Sequence, residues 1–199
     1  MATINLSPIV SIAGLNISGT ISRTVDGQIG EDPALPAGAL GSLTTRTDND
    51  TGVITCSAGH GIVTGKVTLF WTLLGVNYSR VNMDAVVTDN AVAIDAGGGD
   101  NLPAGASAIY VGNSVNVDMD FVSSLVKVAA ACCEQNCVIG FYTSGNALLL
   151  RLTLPANEPW TYVSPAADPF AGTVAYAIVG NGGVLAATAR IGIGYDSSS

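Results

Sequence analysis

Turn-forming residues break this chain into pieces too short for ordinary helices. Glycine occurs 24 times and proline 8 times among the 199 residues. Between them lie short runs rich in Val, Ile, Thr and Ala. Both punctuating residues weaken element interiors, and glycine supplies the positive φ that tight turns need. Runs of this composition, with turn signals about 8–12 residues apart, predict many short strands. Val67 to Leu74, Asn77 to Thr88, Ala91 to Asp95 and Ala106 to Gly112 are clear instances, as are Val138 to Tyr142, Ala147 to Leu154, Thr173 to Val179 and Ala186 to Gly194. Asn116 to Phe121 alternates strictly, placing Val117, Met119 and Phe121 on one face. Turn signals stand at Gly97 to Asn101, Ser144 to Asn146 and Gly180 to Gly183. One stretch, Ser123 to Glu134, contains Ala129-Ala130-Ala131 and reads either as a helix or as a buried strand.

The expected fold class is therefore all-β, as β-sandwich or small barrel modules with an extended N-terminal segment. Three parts are expected: residues 1–40 as an N-terminal arm, 41–120 as a β domain, and 121–199 as a C-terminal β domain. The arm carries Ile4, Leu6, Ile9 and Ile12 and leads into a connection, Gly30 to Gly38, in which Pro33 and Pro36 favour extended backbone. A strand that leaves its own domain needs another sheet edge for its backbone groups, so these apolar residues are interface candidates. Trp160 and Tyr162 are two further candidates. They alternate in a Pro-flanked loop, where they would anchor an interface or cover the open end of a sandwich.

Surface charge points the same way. Hydrophobic residues make up 48% of the chain and charged residues 11%, against about 25% in an average protein. A folded monomer of this mass would expose roughly 8,700 Å², so each charge would serve roughly 400 Å². Such a surface favours a homo-oligomer over a dilute monomer. The net charge of −8 repels phosphate backbones, which argues against direct nucleic-acid binding. No apolar stretch reaches the ~18 residues of a membrane helix, and the first residues lack the basic region of a secretory signal. A chain made in the cytoplasm is the expectation.

Catalytic and metal motifs fail one by one. Gly59-His60-Gly61 to Gly65-Lys66 has His60 where a Walker loop needs glycine, and Val67 where it needs Ser or Thr. It reads as a glycine-rich turn. His60 is the one histidine, and no G-x-S-x-G elbow supplies a nucleophile for it. Asp118, Asp120 and Asn116 read as the polar face of a strand. Asp48-Asn49-Asp50 lacks EF-hand spacing, and Gly97-Gly98-Gly99-Asp100 occurs once without a repeat. Cys56, Cys132, Cys133 and Cys137 lack zinc-hook spacing and read as reduced structural thiols. No catalytic residue, cofactor or metal is expected, and the chain reads as a non-enzyme.

Several stretches together resemble β-rich structural proteins of tailed bacteriophage particles. They are Leu43 to Thr55, Gly59 to Gly65, Asp95 to Pro103, a strand pair across Gly180-Asn181-Gly182, and the closing Ile191 to Ser197. Lys66 stands where the family usually has an acidic residue. The resemblance implies a virion component, assembled in the host cytoplasm, whose partners are itself and other virion proteins such as the major capsid protein. It transfers no active-site residues. A capsid-associated decoration or cement protein is the leading expectation, because no long hairpin of the kind found in tail-tube rings is evident. A tail component is the alternative, and a receptor- or carbohydrate-binding β module is a third.

Overall fold

The computed structural model describes residues 2–6, 9–12, 15–18, 21–25, 27–104, 107–119, 125–163, 170 and 173–196, with side chains described from residue 30 to 194 within those spans except 125–128 and 163. Every regular element among them is a strand. In chain order these are β1 (Ala2–Leu6), β2 (Ile9–Ile12), β3 (Leu15–Ser18), β4 (Ile21–Val25), β5 (Gly27–Glu31) and β6 (Ala34–Leu35). Then come β7 (Ala39–Arg46), β8 (Gly52–Cys56), β9 (Gly65–Leu73), β10 (Val76–Thr88), β11 (Ala91–Asp95), β12 (Gly98–Gly99) and β13 (Ala108–Asp118). The last are β14 (Leu125–Cys133), β15 (Cys137–Tyr142), β16 (Leu148–Leu154), β17 (Trp160–Val163), β18 (Tyr176–Asn181) and β19 (Ala187–Asp196).

Six strands close a barrel. β7 pairs β8, β8 pairs β11, β11 pairs β10, β10 pairs β9, and β13 joins β9 back to β7, all antiparallel. Closure leaves no sheet edge around the barrel, and alternate side chains fill its interior. Leu43, Ile54, Val67, Leu69, Trp71, Met83, Val92, Ile94, Ile109 and Val111 form that core.

A sandwich follows, built on the far half of the same β13. Ser114 to Asp118 pair with β18, β18 pairs β15, and β15 pairs β16. The facing sheet runs β17-β14-β19-β5, with β6 also on β19. Between the sheets, Ile139, Phe141, Leu152 and Val179 meet the smaller Ala129, Ala131 and Ala189. The stretch Ser123 to Glu134 is thus a strand where described, not a helix. Ala129, Ala131 and Cys133 point inward and are buried, while Ala130 and Cys132 are half-exposed on the outer face. Period-two burial leaves nothing for a helical stripe.

The two predicted strands Ala106–Gly112 and Asn116–Phe121 are one continuous strand, β13, and Phe121 lies outside the described residues. Val117 and Met119 are buried, as the alternation required. Gly112 does not turn the chain. A Cβ there would lie 2.3 Å from the Asn181 carbonyl oxygen, so glycine lets two backbones pass. The Gly180-Asn181-Gly182 signal does not close a paired hairpin either, because β18 and β19 belong to opposite sheets. The chain arches across the sandwich there. Asn181, 1% exposed, holds the arch: its amide donates to the carbonyls of Pro36 (2.9 Å) and Leu185 (2.7 Å), and its side-chain oxygen accepts from the Gly183 N–H (2.8 Å).

A third cluster joins barrel to sandwich. Phe70 and Val81 from the barrel pack on Val138, Tyr142 and Ile178 of the sandwich. β15 is consequently buried on both faces along its whole length. Residues 27–35, within the expected arm, lie in the intramolecular sheet through β5 and β6.

Candidate functional site

Ahead of β5, the chain doubles back on itself. β1 pairs β4 from Ala2↔Val25 to Leu6↔Ile21, and β2 pairs β3 from Ile9↔Ser18 to Ile12↔Leu15. Ile4 pairs with Arg23 and Leu6 with Ile21, while Ile9 pairs with Ser18 and Ile12 with Leu15. Their side chains lie outside the described ones.

Trp160 and Tyr162 lie on β17, paired to β14 at Ala131 and Ala129. Their rings stack at 6.3 Å and 14°, and both are partly buried against the sandwich core. Beside Trp160 is an open cleft of about 250 Å³, lined by Asp32, Ala130, Cys132, Pro159, Arg190 and Gly192 among others. Its floor is made of small residues, and Arg190 and Asp32 flank it.

A polar lock at the barrel–sandwich junction escaped the sequence reading. Arg80 on β10 is 5% exposed and donates to the carbonyls of Asp100 (2.8 Å), Ala96 (3.1 Å) and Gly97 (3.2 Å). Burial pulls its guanidinium below the ordinary value, opposed mainly by Asp50, 3.7 Å away. Asp100 accepts from the Ser79 N–H (2.9 Å) and from Arg151 of the sandwich (2.9 Å), and Arg151 also donates to the Ser79 carbonyl. Gly99 must be glycine there, with φ +146° and a Cβ that would lie 2.4 Å from both the Ser79 oxygen and Arg151. The glycine run that resembled a calcium-loop fragment is a clasp between the two halves. An Arg inside the strand Tyr78-Ser79-Arg80-Val81 was the available signal.

Beside the clasp, Lys66, Asn82, Ser114, Asn116, Asn146 and Tyr176 line an open polar cleft of about 490 Å³. Tyr176 stacks on Tyr142 at 5.2 Å and 6° and donates to the Asn146 side-chain oxygen (2.7 Å). Tyr142 is 3% exposed and its hydroxyl has no partner. Burial, then Tyr176, pushes its pKa up to about 12.

The remaining motif residues serve turns. His60 Nδ1 accepts from the Ile62 N–H (3.0 Å), so Nε2 carries the proton and donates to the Asp89 carbonyl (3.0 Å). Asp48 accepts from the N–H groups of Thr51 (2.7 Å) and Asp50 (3.0 Å), bonds that hold its carboxyl below the usual range. Among the described residues no three His, Cys, Asp or Glu side chains converge as a metal site; Asp120 lies outside them. All four cysteines are free thiols. The hydrogen bond between Cys133 and Cys137 holds the Cys133 thiol down at about 7 and, with burial, pushes Cys137 up.

Compared with known proteins, the chain matches no family model, no curated protein and no solved structure.

Proposed function

We propose that this chain is a non-enzymatic structural protein of a bacteriophage particle, working as one of many identical copies. The observation that carries the reading is the first segment, where β1 pairs β4 and β2 pairs β3 as two-stranded ladders that, among the described residues, pair with no other strand. A two-stranded ribbon is marginal alone in water. Such ladders gain stability from a neighbouring copy or shell subunit that pairs with them. The low charge of the whole chain supports the same reading, as does the resemblance to virion proteins.

A capsid-associated decoration or cement role remains the first station. A tail component is the second. The polar cleft at Asn82, Asn116 and Asn146 is where a carbohydrate-binding module would hold its ligand. Fractionated virions, imaged with a label on this chain, test the station. Native mass spectrometry of the full chain and of a version lacking residues 2–25 tests the assembly. The deletion stops before Gly27, because β5 belongs to the sandwich. The expected result is a folded, monomeric truncation and an oligomeric full chain. A full chain that stays monomeric at every concentration refutes the reading.

A further inference from the structure

We propose that the polar cleft beside the clasp binds a neutral oligosaccharide, an inference that rests on the carbohydrate-module reading and names its ligand class. It stands apart from self-assembly, because one copy supplies every wall. The cleft has two lobes, of about 490 Å³ and about 290 Å³, which share Lys66, Asn82 and Asn146. The larger alone falls within the range of small-molecule sites, about 300–1,000 Å³.

Two irregularities in the strands bring asparagines to it. Between Arg80↔Leu69 and Met83↔Val67, β10 carries two residues, Val81 and Asn82, opposite Thr68 alone. A bulge of this kind re-aims a side chain; Asn82, at φ 60°, lines both lobes. On the sandwich side, β16 bulges at Leu149 against β15. The hairpin tip beside that bulge carries Asn146 at φ 65°. The Tyr176 hydroxyl holds the Asn146 side-chain oxygen (2.7 Å), which leaves the –NH2 of that amide to donate. Tyr142 gives an independent sign. It walls the smaller lobe, and its buried hydroxyl has no partner. For the fold alone phenylalanine would serve better there. A polar group kept at a cost to stability marks a functional site.

The lining selects the ligand. Asn82, Asn116 and Asn146 each offer donors and an acceptor, and Ser114 and Tyr176 add hydroxyls. The two charged groups on the walls, Lys66 and Asp84, pair with each other at 2.8 Å, so no net charge favours an anion or a cation. These neutral groups converge from β10, β13, β18 and the β15–β16 tip. They match a ligand whose hydroxyls point in all directions. A bound peptide would instead use a free strand edge with pockets for alternate side chains. The parallel Tyr142–Tyr176 stack adds ring surface for the C–H face of a pyranose. Identical copies on one particle would add avidity, so a Kd of about 1 mM in each cleft would suffice.

The test titrates the full-length protein with maltotriose, cellotriose and tri-N-acetylchitotriose, read by saturation-transfer NMR and calorimetry. At least one is expected to bind with a Kd of about 1 mM or below. Glycine suits φ 60°, so Asn82→Gly is expected to keep the wild-type melting temperature while that binding weakens at least about tenfold. Failure of all three sugars to bind, or binding that Asn82→Gly leaves unchanged, overturns the cleft and leaves the self-assembly reading standing. Binding of acetyl-triglycine amide in place of the sugars overturns it in favour of a peptide. Sugar binding by a full chain that stays monomeric upholds the cleft and overturns self-assembly.

Discussion

Gly180→Ala should split the molecule where barrel meets sandwich, and its magnitude follows from three distances. A Cβ at position 180 would lie 2.1 Å from the Thr68 Cβ, 2.3 Å from its Oγ1 and 2.7 Å from its Cγ2. Comfortable carbon contacts are about 3.5–4.0 Å. Neither side can yield easily, because β9 is held between β10 and β13, and β18 between β13 and β15. Overpacking of this severity costs about 3 kcal/mol. For a chain of this size that lowers the melting temperature by roughly 6–12 °C. All three atoms belong to one side chain, so Thr68→Gly removes the whole obstruction. That change alone costs about 2 kcal/mol, from a strand glycine and the lost 3.0 Å hydrogen bond to Ser114. Independent effects would sum to about 5 kcal/mol, whereas the double variant is expected near 2 kcal/mol. Urea unfolding of the four proteins gives the coupling directly. An additive double variant would refute direct contact between the two strands.

Three more outcomes follow from the junction and the core. Tyr142→Phe removes a buried hydroxyl without a partner and should stabilise by about 1 kcal/mol in thermal melts. The folded phenol, at about 12, stands above the unfolded value of about 10, so its stabilisation is complete below pH 10 and is lost as pH climbs from 10 to 12. The Phe variant should lose less stability than wild type across that window, and equal losses would contradict the assignment. Asp100→Ala strips the clasp of its acceptor for Arg151 and Ser79 and should cost about 2 kcal/mol by urea unfolding, with Asp100→Asn intermediate. Iodoacetamide on the native protein should label Cys132, half-exposed on the outer face of β14, before the buried Cys56, Cys133 and Cys137. Mass spectrometry would show four modified thiols only after unfolding, and a protected pair would mean a disulfide.

Where strands lie was readable along the chain, since period-two burial and turn residues are local properties. Val138 to Tyr142 and Ala91 to Asp95 differ from the observed strands by a residue at most. Which strands meet was not readable. Barrel closure depends on β13 accepting both β7 and β9, a choice made by non-local packing that leaves no local trace. Glycine misled in a specific way. At 112 and 180 it marks crowding between backbones rather than a change of direction, and one letter serves both purposes. The alanine run at 129–131 carries no amphipathic period in its letters, because the same small residue stands on the inner face, against Ile139, Phe141 and Leu152, and on the half-exposed outer face. Arg80 stood out as a buried cation inside a strand, but its partners come from the loop Ala96 to Asp100 and from Asp50, far apart along the chain. Of the site, the apolar residues of the first segment were visible early. Their cross-strand partners needed the register.

The continuity of β13 has a mechanical meaning. Tension between the barrel and the sandwich would run lengthwise along one polypeptide segment, with β7 and β9 gripping one half and β18 the other. A strand drawn along its own axis must slip against its neighbours with all its ladder bonds resisting together, whereas a hairpin pulled from one end opens one bond at a time. On the proposed reading as a particle protein, swelling of a shell or bending of a tail would load this joint in shear, and rupture should begin where strands are peeled from their ends, at the β1–β4 and β2–β3 ladders, before the joint itself gives way.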